Sequence, residues 1–545
     1  MDERKPAAES GITDPGYNNR ITNPGYSGKF DQLQKKLVSL WKSIERLNQD
    51  PQTIVVVPSM SIDAIGSGAI MQAYEERFLF LLLLLRQPRA RLIYVTSQPI
   101  LPSIIDYYLD LLPGVIPSHA RQRLFLIAPL DGSVRPLSDK LLARPRLIER
   151  IRSLIMDPDR AHLVPFNTTN REKELALRLG IPMYGADPKF FPLGTKSGCR
   201  KIFIEENVPH PLGYENLATK EDLIDAIAQM RAKKPSIKQV LVKLNEGVSG
   251  EGNAVVDLAG LPPVTGIADA GRTNVSTRPG SPITATTSKE RAALEERLRG
   301  MQFELAEITY DNYMEKLRER QAVVEERIMG EEFRSPSVQL RITPLGRVEL
   351  LSTHDQLLGG PSGQSYLGCV FPADIGYAPL ITREATKVGR RLAKEGVIGR
   401  FALDFVVVRS NGKWEPYAIE INLRKGGTTH PFLTLQFLTD GTYDADTAIF
   451  TAPNGQQKFF VASDHVESPQ YRTLTPDDLF DVVVRHNLHF DQTRQTGVVF
   501  HMMSALGELG RMGLTAVGNS HEDANAIYNR ALTVLDEETR EAPGD

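Results

Sequence analysis

From Thr53 to Ala186 short apolar runs alternate with helical stretches. Ile54 to Val57, Leu92 to Val95 and Leu124 to Ile127 read as buried strands. That alternation predicts an open α/β layer. Ahead of it, Phe30 to Asn48 repeats its apolar positions with a helical period. Phe78 to Leu85 is apolar throughout, yet it is flanked by Arg77 and Arg86 and falls well short of the ~20 residues of a membrane span, so it predicts a buried helix. Tyr74, Glu75, Glu76 and Arg77, just before it, read as surface charge. Gln239 to Leu244 and Asn253 to Leu258 are short apolar strands, and Val406 to Val408 and Tyr417 to Ile421 flank Asn411-Gly412, a strong hairpin signal. Pro, Gly, Thr and Ser crowd residues 260–290, predicting a mobile insertion before the charged helix Lys289 to Arg299. Short strands and a final helical region, Asp523 to Glu537, follow Asp440. Residues 1–30 repeat Pro-Gly-Tyr (Pro15-Gly16-Tyr17, Pro24-Gly25-Tyr26) and predict an arm ordered on contact or a disordered tail.

The hairpin carries the first candidate chemistry. If Asn411, Gly412 and Lys413 form its loop, Asp404 falls opposite Glu420, and Asn422 shares the face of Glu420, because side chains alternate along a strand. A one-residue slip would put Asp404 on the wrong side. Two carboxylates and an amide oxygen suit Mg²⁺, a hard cation that keeps places for water and substrate phosphates. The competing reading is a bulge capped by Asp404 and a solvated Glu420–Arg424 pair, worth little by itself. Against it, carboxylates set among Phe, Leu and Ile are costly to bury without a partner.

A second constellation lies upstream. Lys243 stands on the strand before Asn245-Glu246-Gly247-Val248-Ser249-Gly250-Glu251-Gly252, whose glycines let backbone amides approach an anion closely. A plain flexible hairpin is the alternative. Neither a Walker A loop nor a dinucleotide fingerprint is present. Gly66-Ser67-Gly68 could bind an anion at a helix start, with a tight connection as the other reading. The third element, Val323-Val324-Glu325-Glu326-Arg327-Ile328-Met329-Gly330-Glu331-Glu332-Phe333, is an apolar strand running into an acidic turn.

In order along the chain, a lysine with a glycine loop, Glu-Glu-x-Ile-x-Gly-x-Glu, then Asp and Glu-x-Asn-x-Arg, resembles the ATP-grasp superfamily of carboxylate ligases. Gly194-Thr195-Lys196 ahead of Asn207-Val208-Pro209 adds a fourth match. Val498 to Gly510 and Val55-Val56-Val57-Pro58-Ser59 look like the pheganomycin-type peptide ligase branch. The resemblance implies an α/β chain with α+β lobes: an ATP-grasp fold preceded by a Rossmann-like α/β domain and followed by a small carboxy-terminal lobe. The expected divisions are an arm and helix at 1–48, the pre-ATP-grasp domain at 49–187, the ATP-grasp domain at 188–445 and the last lobe at 446–545.

The resemblance also implies roles, residue by residue. Lys196 and Lys243 would contact the ATP phosphates, with Gly247, Ser249, Gly250 and Gly252 forming a loop over them. Glu325 would accept from the adenine amino group while the backbone of Glu326 and Ile328 reads the rest of its edge, and Glu332 would hold the ribose. Asp404, Glu420 and Asn422 would hold one or two Mg²⁺. Arg424 would steady the γ-phosphate and an acyl phosphate, Lys243 assisting. Apart from the resemblance, the Gly426-Gly427-Thr428-Thr429 run would bring His430 back beside the hairpin to help deprotonate the amine, with a structural histidine before Pro431 as the other reading. One departure stands out: where some relatives carry an arginine two residues before the first metal carboxylate, this chain has Ala402, with Arg400 nearest. The implied reaction joins a small-molecule carboxylate to the amine of an amino acid or peptide through an acyl phosphate. Candidate substrate contacts are Arg334, Ser335, His354, Asp355 and the Gly359 to Gln364 loop, which otherwise reads as a turn with a solvated charge pair.

Composition sets outer limits. The chain has 545 residues, enough for three or four domains, and a net charge of −3 from 64 basic and 67 acidic residues, which points to neither nucleic acid nor a membrane surface as partner. Two cysteines, Cys199 and Cys369, exclude a disulfide scaffold and a Cys-based zinc site and fit a reducing cytoplasm. The amino terminus lacks an apolar signal core. The oligomeric state stays open, a homo-oligomer included. Two rival functions remain: a thiol hydrolase built on Cys369 and His354, opposed by the apolar residues around the cysteine, and an inactive ATP-binding sensor, opposed by the intact metal ligands.

Overall fold

The computed structural model describes residues 24–45, 51–61, 67–247, 252–262, 287–304, 308–359 and 365–540. Residues 1–23 of the expected arm, Gly66, Ser249 and Gly250, most of the 260–290 insertion and the segment from Gly360 to Gln364 lie outside the described residues.

The α/β layer is a parallel four-stranded sheet ordered β3-β2-β1-β4, built from β1 (Gln52–Val57), β2 (Ala90–Val95), β3 (Leu124–Ile127) and β4 (Ala161–Pro165). The central strands β1 and β2 and the edge strand β4 are largely apolar and buried, as a sheet covered by helices requires, whereas the edge strand β3 leaves Leu126 exposed. Ser67 caps the helix Gly68–Glu76. A Cβ on Gly68 would lie 2.2 Å from the Gly132 carbonyl oxygen, so the start of this helix packs closely on the backbone at Gly132.

A second sheet, ordered β5-β9-β6-β7-β8, combines β5 (Gly213–Leu217), β6 (Gln239–Leu244), β7 (Asn253–Asp257), β8 (Gln302–Phe303) and β9 (Ala322–Glu326). A third runs β10-β14-β11-β12-β13-β18-β20-β19. Its strands are β10 (Glu332–Arg334), β11 (Pro336–Ile342), β12 (Val348–Gly359), β13 (Ser365–Phe371), β14 (Gly399–Ser410) and β15 (Lys413–Asn422), which pairs with β14, followed by β18 (Phe459–Glu467), β19 (Gly497–His501) and β20 (Arg511–Gly518). β16 (Thr442–Asp444) and β17 (Ile449–Thr451) form a separate ribbon. Strands beyond residue 446 thus continue the sheet that holds the hairpin, through β13 and β18.

Two expectations change. The helical stretch from Phe30 is broken into Pro24–Gln34 and Lys36–Glu45. Glu75, Glu76 and Arg77 are not surface charge: they are buried, and the apolar run behind them is a buried 3-10 helix, Arg77–Arg86. Each charge takes a partner inside. Glu75 accepts from the Ser97 amide and hydroxyl, and Glu76 accepts from the amides of Met503 at 2.7 Å and Ser504 at 2.8 Å. Arg77 pairs with Asp464. Buried charges persist when paired in this way.

Candidate functional site

The hairpin is β14 and β15, joined by Asn411-Gly412, both with positive φ (52° and 77°) as a two-residue turn of this hand needs. A two-residue turn carried on regularly would set Asp404 against Ile419 and send Glu420 to the other face. A β-bulge between Asp404 and Phe405 takes up Ile419, so Asp404 pairs with Glu420 and Ala402 with Asn422. Asn422 Nδ2 donates to Asp404 Oδ2 at 2.9 Å, and Gln356 Nε2 to Oδ1 at 3.0 Å. Burial lifts the Asp404 carboxyl from 3.8 to about 6, opposed by a Ser337 hydrogen bond and reinforced by the Glu420 charge. Glu420 goes the other way. Burial pushes it up, but Lys196, Arg424 and Lys243 outweigh that and hold it below the usual carboxylate range.

Lys196 opens the helix Lys196–Glu205, capped by Thr195, and its Nζ donates to Glu420 Oε1 at 2.9 Å. Asn245, at the end of β6, receives the Ser197 amide at 3.1 Å and hydroxyl at 2.7 Å, fixing that helix to the start of the glycine connection. Lys243 Nζ donates to Glu325 Oε2 at 2.8 Å from the neighbouring strand, and Arg200 donates to Glu325 Oε1 at 2.8 Å. All three are buried. Burial would raise the Glu325 carboxyl; the two cations instead hold it at about 2. Each of its oxygens therefore accepts from one cation, Oε2 from Lys243 and Oε1 from Arg200. The Tyr313 hydroxyl donates to the carbonyls of Val242 and Gly252, gripping the strands on both sides of the connection.

Glu326 pairs with Lys234, its amide donating to the Leu212 carbonyl at 2.7 Å, and Glu332 faces Arg409 across β10 and β14 at 3.5 Å. Gly247 and Gly252 close on each other at the base of the connection, and Ile328 is half-buried. Arg424 lies half-buried beyond β15, its pKa lowered by burial against the pull of Glu420 and Asp404.

The four candidate substrate residues do not gather on the hairpin face. His354 is fully buried among the rings of Phe371, Phe432 and Phe460, bonded to the Ser352 hydroxyl at 2.8 Å, and burial pulls it down to about 3; it is a core residue. Asp355 sits on the opposite face, because Asp404, Ser337 and His354 lie across from one another on one face. Its carboxylate accepts from the Tyr377 hydroxyl at 2.6 Å and the Asp374 amide at 3.1 Å. Arg334 is exposed and donates to the Phe333 carbonyl, and Ser335 to that of Phe405. The His430 ring is buried against His501 and Asp464. Cys369 is buried and its thiol pushed up to about 12, which leaves no nucleophile for a thiol hydrolase.

Sequence reasoning missed Arg200, Asn245, Ser337, Gln356, Arg77, Asp464 and His501. A signal was present for the last two: a lone acid or histidine inside an apolar strand needs a buried partner. Among the described residues no helix is long and apolar enough to cross a membrane.

The family described as IQCH-like, ATP-grasp matches residues 191–446, and one described as the PGM1 C-terminal domain matches residues 478–531. L-propargylglycine–L-glutamate ligase of Streptantibioticus cattleyicolor is 28% identical over 467 residues, covering 84% of this chain and 88% of that protein. IQ motif-containing protein H of Danio rerio is 24% identical over 556 residues, covering 93% of this chain; the chain spans 50% of that relative's length. Two solved structures share the fold. A biotin carboxylase from Campylobacter jejuni gives a TM-score of 0.50 at 12% identity over 91% of this chain and 96% of that one. The biotin carboxylase domain of Hydrogenobacter thermophilus 2-oxoglutarate carboxylase gives 0.51 at 13% over 90% and 94%. Residues 191–446, which hold the acidic hairpin, the two lysines and the glycine connection, thus match an ATP-grasp family, and most of the chain is similar to a ligase that joins two amino acids.

Proposed function

We propose that this ligase activates a small-molecule carboxylate as an acyl phosphate and passes the acyl group to the amine of an amino acid or peptide, releasing ADP and phosphate. The observation that supports it most is the approach of Lys196 to Glu420 across two distant parts of the chain, at 2.9 Å. A lysine held on a carboxylate beside two further oxygen ligands is an exchangeable pair. Phosphate oxygens take over the ammonium, and the freed carboxylate turns to a cation.

In the reading we favour, Lys196 and Lys243 hold the phosphates, and the Glu325 carboxylate acts as the counter-ion that aims Lys243. The adenine edge falls to the backbone of Glu326 and Ile328, the ribose to Glu332, and the phosphates also meet the backbone at Gly247 and Gly252. Asp404, Glu420 and Asn422 would hold Mg²⁺, which when bound supplies charge neutralisation at the transferred phosphoryl group. Their donor set fits it: hard oxygens converge on one face, with one carboxylate held neutral up to about pH 6 by burial and a like charge.

In the first step an oxygen of the substrate carboxylate bonds to the γ-phosphorus as the bond to the bridging β,γ oxygen breaks, and ADP leaves. Arg424 offsets charge on the transferred group. In the second, the amine nitrogen bonds to the acyl carbon, the carbon–oxygen bond to phosphate breaks, and the proton lost by nitrogen passes to solvent or to phosphate. A peptide-type amine follows from the likeness to the L-propargylglycine–L-glutamate ligase.

The test uses hydroxylamine as a small amine with a panel of carboxylic acids. The expected products are a hydroxamate, ADP and inorganic phosphate in equal amounts. AMP and pyrophosphate would mean an acyl adenylate and overturn the mechanism; ATP binding without turnover across the panel would turn the reading to a nucleotide sensor.

A further inference from the structure

Four residues from distant parts of the chain meet in the interior. Arg77 opens the buried 3-10 helix, His430 lies in the first turn of the helix Thr429–Thr439, Asp464 lies in β18 and His501 ends β19. All four are at most 4% exposed. His430 Nε2 and His501 Nε2 are 2.9 Å apart, His501 Nε2 is 3.0 Å from Asp464 Oδ1, and His430 Nε2 is 3.5 Å from the same oxygen. Arg77 takes the other oxygen, Oδ2.

Hydrogen bonding alone does not satisfy this triangle. If His430 Nε2 carries the proton and donates to His501, the His501 lone pair faces Asp464 Oδ1. If His501 Nε2 carries it and donates to Asp464, the His430 lone pair faces that oxygen. Protons on both nitrogens collide, and with neither every contact is repulsive. Each arrangement leaves at least one buried contact between like partners, a cost that native interiors avoid. A cation at the centre makes all three attractive. Ligands about 2.0–2.1 Å from a tetrahedral metal lie about 3.3 Å from one another, close to the three edges seen here.

The surroundings are shaped for the same purpose. A β-bulge between Ser463 and Val466 sets the course of the strand at Asp464. Gly513 pairs with His501, and a Cβ there would come within 2.0 Å of Nε2, so only glycine leaves room for the ring. Arg77 on Oδ2 is the kind of outer partner that fixes a ligating carboxylate.

We propose that His430 Nε2, His501 Nε2 and Asp464 Oδ1 form a binding site for a first-row divalent cation, Zn²⁺ by preference, separate from the hairpin carboxylates. Two imidazoles and one carboxylate are the borderline donor set that Zn²⁺ takes, and Mg²⁺, which wants oxygens, does not. Bound there, the ion ties the helix that follows Arg424 to β18 and β19.

The test is metal uptake by the full chain, stripped with a chelator and given Zn²⁺ or Co²⁺ without nucleotide. About one equivalent should be retained after desalting, Co²⁺ should show the intense visible bands of a low-coordinate site, and X-ray absorption should show nitrogen and oxygen neighbours without sulfur. Asp404→Ala should retain the ion; His501→Ala and His430→Ala should each lose at least tenfold in affinity. Wild-type protein that takes up neither metal overturns the site, as does uptake unchanged in a folded His430→Ala/His501→Ala double variant. Should the variants fail to fold, the wild-type absorption spectrum decides: a first shell of oxygens alone refutes the assignment.

Discussion

Asp404 is the side chain whose environment says most about its work. Burial and the neighbouring Glu420 lift its carboxyl to about 6, whereas Lys196 keeps Glu420 low. Two carboxylates with values driven apart, one of them against its own burial, form a site that waits for positive charge. The sign of the linkage follows. A carboxyl whose folded value exceeds its ordinary 3.8 contributes stability that is present at low pH and lost as pH rises through about 6, so ionised Asp404 is held at a cost until a cation relieves it. With Mg²⁺ below saturation, kcat/KM should fall on the acid side with a midpoint near pH 6, and raising Mg²⁺ should carry that midpoint lower. An acid limb that does not move with Mg²⁺ would detach Asp404 from the metal. The hairpin's acidic face could be read from alternation in the sequence. The Glu325 carboxylate could not, because its two partners, Lys243 and Arg200, come from elements that sequence spacing does not relate.

At the scale of elements, what the sequence carried and what it hid separate by range. Asn411-Gly412 announced the hairpin, since both positions need positive φ. The expected pairing of Asp404 with Glu420 is there, but it rests on a two-residue turn plus a bulge at Ile419 instead of the three-residue loop expected; no local signal distinguishes the two routes. Arg77 was hidden for the opposite reason: its partner Asp464 lies hundreds of residues away, and a charge beside an apolar run reads as solvated until that partner is known. Tyr313 is a similar case. Its hydroxyl spans the carbonyls of Val242 and Gly252 at 3.1 and 2.9 Å, on the strands that enter and leave the glycine connection. Tyr313→Phe removes the shared donor while the Gly252 carbonyl keeps the Leu244 amide, at a cost of about 0.5–1.5 kcal/mol. The KM for ATP should rise several-fold while a melting transition remains cooperative. An unchanged KM would separate the strand base from nucleotide binding.

The molecule as a whole is stitched across its chain order. One apolar cluster takes Ile54, Val56 and Leu92 from the α/β layer, Phe371 and Phe432 from beside the hairpin sheet, and Phe460, Leu514 and Leu535 from the last hundred residues. β13 pairs with β18 from Gly368 to Phe371, and Glu76 reaches the amides of Met503 and Ser504. A chain ending at residue 446 would therefore lose more than an appendage. β13 would become a sheet edge presenting unpaired amides and carbonyls, the buried faces of Phe371 and Phe432 would open to water, and Arg77 and Glu76 would stay inside without their counterparts. Unpaired edges and uncovered apolar faces drive association, and a buried charge stripped of its partner costs about 3–5 kcal/mol. Such a truncation should aggregate, or remain as a species that binds a hydrophobic dye and shows no cooperative melt, even though residues 191–446 hold the whole ATP-grasp match. Size-exclusion chromatography and a nucleotide-binding assay on the truncated chain give the answer. A soluble monomer that binds ATP with near-native affinity would show that the nucleotide fold is self-sufficient and that the shared core serves another purpose.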